Sequence, residues 1–336
     1  MRWALIIVTL ALSSAVGGAT ASGQLWPARM VLSPAAAMAG TAPQARETVW
    51  QPPAGAAQVP IWPHGAPDMT GITQPAERVV RAKSLVAGRP WADVLDVTTP
   101  TMTIFRPKGR NTGVSMVVFP GGGFQGLAID LEGTEICDWM TARGITCVLL
   151  KYRVPKSAHY WDEGCQCHVT PEIPRALQDA QRTIRLVRAR ASELRLDPRK
   201  VGVIGMSAGG YLVAQTSNIF ESAYKPIDAA DKLSSRPDFA VALYPGHLCR
   251  SGGVLDPGLH VTKETPPTFL LQAWNDPVDE ICNSIIYARA LDEAGVATEV
   301  HLFVKGGHAF GLRPNGHPIT NWPKLVEAWL KELSIL

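Results

Sequence analysis

From residue 101 onward, short apolar runs alternate with longer stretches in which apolar residues return every three or four positions. The runs are rich in Val, Ile and Leu, which predicts buried strands at 101–105, 115–119, 145–150, 201–204, 239–244, 268–273 and 299–304. The longer stretches predict amphipathic helices at 134–142, 174–194, 208–220, 279–294 and 322–333. Strands that are apolar along their whole length and separated by helices imply an α/β fold, with a mostly parallel central sheet covered by helices on both faces. The turn Asp197-Pro198-Arg199-Lys200 closes one long helical pattern and leads directly into the run at 201–204.

The N-terminal third reads differently. Arg2, an apolar core and Ala19-Thr20-Ala21 have the layout of an export leader, expected at 1–21. Its apolar core is too short to span a bilayer, and the first cysteine is Cys137, so neither a retained membrane anchor nor an N-terminal lipid is expected. Residues 22–58 are rich in Ala, Pro and Gly without a helical or strand period, which predicts an extension or linker. Residues 59–336 then have the length of one large α/β domain.

A formal net charge of +3 with scattered basic residues gives no support to nucleic-acid binding. Six cysteines are few for 336 residues, so the core must carry the fold. Cys137 and Cys147 are expected as small buried thiols, on a helix and a strand respectively. Cys249 and Cys282 both follow strands that end on one edge of the sheet, and a bridge between them is plausible. Cys165-x-Cys167-His168 has the form of half a metal site; no second cluster completes it, and no metal is expected.

The chemistry starts from Gly205-x-Ser207-x-Gly209, where an apolar run meets the start of a helix. This is the sequence form of a nucleophile elbow, in which Ser207 sits on a strained turn and flanking glycines allow strand and helix to approach. A serine hydroxyl needs a base, and the base an orienting acid. His308, between glycines after the run at 299–304, is the candidate base; His64, His260 and His317 have no such placement. Asp276, just after the run at 268–273, is the candidate acid. Asp279 is the rival, although its position suggests a helix N-cap or first turn. Gly121-Gly122-Gly123, after the run at 115–119, leaves backbone N–H groups open to an oxyanion. Gly122, Gly123 and the N–H of Ala208 are the candidate oxyanion hole. The order of oxyanion loop, Ser207, Asp276 and His308 is that of the α/β-hydrolases and not of chymotrypsin or subtilisin.

These residues, together with Ile61-Trp62-Pro63-x-Gly65-Ala66-Pro67, Glu132-Gly133, Leu177-Gln178-Asp179-Ala180 and Gly307-His308-Ala309-Phe310-Gly311-Leu312, resemble exported bacterial α/β-hydrolases of the acetyl xylan esterase and feruloyl-esterase-like group. The resemblance covers residue 59 to the C-terminus. It implies a cofactor-free serine esterase acting on small-molecule or oligosaccharide esters, in the periplasm or secreted, with Asp276 as the acid. Some such relatives are called xylanases, but glycosidic cleavage calls for a flanking carboxylate pair. The departures are Pro120, where many lipolytic relatives have histidine, and an insertion at 160–168. Two other readings are a peptidase or amidase of the prolyl-peptidase type, which normally carries a gating domain, and a non-catalytic carbohydrate-binding homologue.

Overall fold

A computed structural model describes residues 49–73, 75–154, 160–162, 167–169 and 173–336. The leader expected at 1–21, residues 22–48 of the extension and residues 163–166 of the insertion lie outside the described residues.

Eight strands form the central sheet: β1 (Ala57–Pro60), β2 (Thr101–Phe105), β3 (Ser115–Phe119), β4 (Thr146–Lys151), β5 (Val201–Met206), β6 (Ala240–Leu243), β7 (Thr268–Ala273) and β8 (Thr298–Phe303). Their spatial order is β1-β2-β4-β3-β5-β6-β7-β8. The pairs β1/β2 and β2/β4 are antiparallel, and every later pair is parallel. Every residue of β3, β4, β5, β6 and β7 is buried, which requires cover on both faces. That cover comes from α1 (Glu135–Thr141), α2 (Pro174–Ala189), α3 (Ala208–Asn218), α4 (Cys282–Glu293) and α5 (Trp322–Glu332). α1 and α5 meet through Trp139 and Trp322, whose ring centroids are 5.1 Å apart.

The seven expected strands are present to within one or two residues. The pattern at 174–194 is broken at Arg190 into α2 and a short helix, Ala191–Leu194, which ends on Arg195 at φ 57°. The edge strand β1 opens at Ala57, and Trp50 is buried against the core, so the packed chain reaches back into the expected extension. A second, three-stranded antiparallel sheet joins Arg78–Arg81, Ala92–Leu95 and Gly126–Ala128.

Cys137 and Cys147 are not free thiols as expected. They form a disulfide, because α1 turns straight back into β4 and brings their Cα atoms within 5.2 Å. Cys249 and Cys282 are also bridged, with Cα atoms 5.7 Å apart, which fastens the start of α4 to the segment after β6.

Parallel register decides what meets at the carboxyl edge. Gly205 is level with Phe119, Met206 with Leu243, and Ala273 with Phe303. The loops that follow β3, β5, β6, β7 and β8 therefore emerge side by side.

Candidate active site

Ser207 sits between β5 and α3 at φ 53° and ψ −122°, a conformation that side chains rarely adopt. The close approach is visible in the glycines. A Cβ on Gly205 would lie 2.1 Å from the carbonyl oxygen of Gly209, and one on Gly209 would lie 1.9 Å from that of Phe119. The Ser207 N–H donates to Leu243 O at 3.1 Å, and its carbonyl accepts from Gly210 N at 2.8 Å, so both sides of the strained turn are held.

The Ser207 hydroxyl lies 2.9 Å from His308 Nε2. His308 Nδ1 lies 2.8 Å from Asp276 Oδ2. The other oxygen of Asp276 accepts the backbone N–H groups of Val278 at 2.9 Å and Asp279 at 3.0 Å. Asn275, which the sequence did not single out, joins the two loops: its Oδ1 accepts from Gly306 N at 2.8 Å and Gly307 N at 3.1 Å. A turn residue beside a catalytic-type aspartate, facing a glycine pair, was the only available signal. Burial alone would lower the His308 pKa. The Asp276 hydrogen bond and the charges of Asp279, Asp276 and Glu132 outweigh it and raise the value above 6.5.

Asp279 is neither an N-cap nor a first-turn residue, because α4 starts at Cys282. Its carboxylate comes to the other side of the imidazole, 3.7 Å from Nε2 and 3.4 Å from Ser207 Oγ. That is the wrong nitrogen for the orienting acid. Burial pushes its carboxyl up to about 6.

The glycine loop after β3 is pinned at several points. Tyr152 Oη donates to Pro120 O at 2.6 Å, and Gly121 N donates to Glu132 Oε2 at 2.8 Å. Gly122 O accepts from Gln125 N and Gly126 N, at 3.1 and 3.2 Å. Gly122 has φ 135°, and a Cβ there would lie 2.2 Å from Gly126 O. Gly121 is committed to Glu132, whereas the N–H groups of Gly122, Gly123 and Ala208 have no acceptor among the described residues. The last opens α3, where the helix dipole favours negative charge.

Glu132 is fully buried on a wide turn, Asp130–Thr134, closed by Thr134 N to Ile129 O at 2.9 Å. Its Oε1 accepts from Tyr244 Oη at 2.9 Å. Burial raises its pKa, partly offset by His308, Tyr244 and the Gly121 N–H. The sequence offered it only as part of Glu132-Gly133, with no role.

A cavity of about 210 Å³ opens above these groups, lined by Gly122, Gly123, Ser207, His247, Asp279 and His308 among others. Its lining presents a hydroxyl paired to an imidazole, the Gly122 and Gly123 backbone, and the carboxyl groups of Glu132 and Asp279.

Residues 102–241 match the family model BD-FAE, a span that contains Gly122, Gly123, Ser207 and Ala208 and stops short of Asp276 and His308. The chain is 28% identical over 235 residues to an acetylxylan esterase of Xylanibacter ruminicola, covering 63% of this chain and 44% of that one. It is 26% identical over 215 residues to endo-1,4-beta-xylanase B of Butyrivibrio fibrisolvens, covering 57% of this chain and 32% of that one. The chain thus spans less than half the length of these curated relatives. The crystal structure of an acetyl ester-xyloside bifunctional hydrolase from Caldicellulosiruptor lactoaceticus superposes with a TM-score of 0.64 at 28% identity, over 83% of this chain and 97% of that one.

Proposed function

We propose that this chain, an α/β-hydrolase of the esterase group, is an exported serine esterase that deacetylates carbohydrate esters such as acetylated xylan or xylo-oligosaccharides. The observation that carries the proposal is the continuous relay from Ser207 Oγ to His308 Nε2 at 2.9 Å and from His308 Nδ1 to Asp276 Oδ2 at 2.8 Å. The names of the relatives support the choice of acyl group and alcohol.

In acylation, Ser207 Oγ attacks the ester carbonyl while its proton passes to His308 Nε2. Asp276 holds the imidazole with Nδ1–H towards itself and stabilises the imidazolium. The carbonyl oxygen becomes an oxyanion and accepts from the N–H groups of Gly122, Gly123 and Ala208. Collapse of the tetrahedral intermediate breaks the bond to the alcohol oxygen, which takes the proton from Nε2. Water then gives its proton to Nε2 and attacks the acyl-Ser207, and the returning proton restores the hydroxyl. A xylanase reading, suggested by one relative, has less support: the centre is a serine relay with an oxyanion site, which is acyl-transfer chemistry.

Release of acetate from acetylated xylo-oligosaccharides tests the proposal. The wild-type chain should release it and Ser207→Ala should be at least about a thousandfold slower. Wild-type-like turnover by the variant would refute it.

A further inference from the structure

The carboxylate of Asp279 has no part in the relay. Its Oδ2 is 3.4 Å from Ser207 Oγ and 3.7 Å from His308 Nε2, and it lines the cavity. In ester cleavage the departing alcohol oxygen takes its proton from Nε2, so it must lie within about 3 Å of that nitrogen. Asp279 is therefore a neighbour of the leaving alcohol and not of a remote part of the acyl chain.

The carboxylate also needs a donor that the protein does not supply during turnover. Among the described residues, Ser207 is the only donor within hydrogen-bond distance, and His308 Nε2 lies beyond it at 3.7 Å. A serine hydroxyl has one proton, and at 2.9 Å that proton belongs to Nε2. Once Ser207 is acylated, its oxygen has none. Gly246 blocks the other side: a Cβ there would lie 2.4 Å from Asp279 Oδ1. What remains open is the cavity. A buried carboxylate left without a donor is costly, and the cheapest remedy is a donor on the substrate.

We propose, resting on the esterase reading above, that Asp279 is a subsite for the leaving alcohol, accepting a hydrogen bond from a second hydroxyl on the carbon next to the ester-bearing one. The enzyme then prefers esters of vicinal diols, as in sugars, over esters of simple alcohols. Burial pushes the Asp279 carboxyl up to about 6, so it is ionised and a pure acceptor at slightly alkaline pH.

A matched pair of substrates isolates this contact: cyclohexyl acetate and 2-hydroxycyclohexyl acetate. The kcat/KM of each is divided by its rate of hydroxide-catalysed hydrolysis, at pH 8, with phenyl acetate as a third ester. The wild-type chain should favour the hydroxylated ester by about ten- to a hundredfold. Asp279→Ala, which removes the acceptor oxygens altogether, should bring the ratio to within about twofold of one, whatever it does to the individual rates. Gly246→Ala, which crowds the carboxylate, should lower the ratio in the same direction. A wild-type ratio near one overturns the subsite without any variant. So does a ratio that survives Asp279→Ala while both rates fall together, since a structural or water-positioning role would do that. If phenyl acetate is turned over and the ratio is one, the subsite alone fails. If none of the three esters is hydrolysed, the esterase reading fails and the subsite with it.

Discussion

Replacing Asp279 by asparagine is expected to make the protein more stable. The carboxyl is pushed from 3.8 in the unfolded chain to about 6 in the fold, chiefly by burial. A carboxyl whose pKa rises on folding is harder to ionise in the native state, so the folded protein binds the proton more tightly. The contribution of this group to stability is therefore most favourable below about pH 4, falls as pH climbs through the window between 3.8 and about 6, and is fully lost above it. Each pH unit in that window is worth about 1.4 kcal/mol, so ionised Asp279 costs the fold about 3 kcal/mol at pH 8 and about half that at pH 5. Asparagine has nearly the same shape and carries no charge. Its amide group also needs partners, so a net gain of about 1–3 kcal/mol is expected at pH 8. Urea unfolding of the wild-type chain and Asp279→Asn at pH 8 and pH 5 measures the difference. The variant's advantage should shrink by roughly 1 kcal/mol or more at the lower pH. A variant less stable than wild type at pH 8, or an advantage equal at both pH values, would refute the reasoning. A gain in stability in Asp279→Asn together with the loss of selectivity in Asp279→Ala is the pattern of a residue retained for function.

Asp276→Asn should lower kcat/KM by about a thousand- to ten-thousandfold, because the amide favours the wrong imidazole tautomer. The base must be neutral to act, so activity falls as pH drops through the raised His308 value. Removing the Asp276 charge should shift that acidic limb to lower pH; an unmoved limb in the pH–rate profile would contradict its role. Gly209→Ala should fail to give a native fold, as its Cβ would lie 1.9 Å from a backbone oxygen that cannot swing aside; a native-like thermal transition in circular dichroism would count against the tight elbow.

Most strands of the sheet were legible as largely apolar runs, and β2, β3 and β7 begin and end where the pattern does. β1 was not, because Ala57-Gln58-Val59-Pro60 is short, half exposed and ends in proline, with no periodicity to separate it from the linker. The Cys137–Cys147 bridge was missed because a helix and a buried strand each explain a cysteine without pairing, and only the tight return from α1 to β4 brings them together. At the site, Ser207, His308 and Asp276 announced themselves through glycines and strand ends, which are backbone requirements written into sequence. Glu132, Asn275 and the cavity-facing side of Asp279 depend on where side chains point across loops far apart in the chain. No spacing encodes that.

The most direct test of the account is covalent labelling of the chain with a fluorophosphonate, followed by peptide mass spectrometry. A single adduct on the peptide that contains Ser207 is expected, absent from Ser207→Ala and absent when the wild-type chain is unfolded before labelling. An adduct on another residue, or a wild-type chain that hydrolyses esters and takes no label, would contradict the claim that Ser207 is the nucleophile.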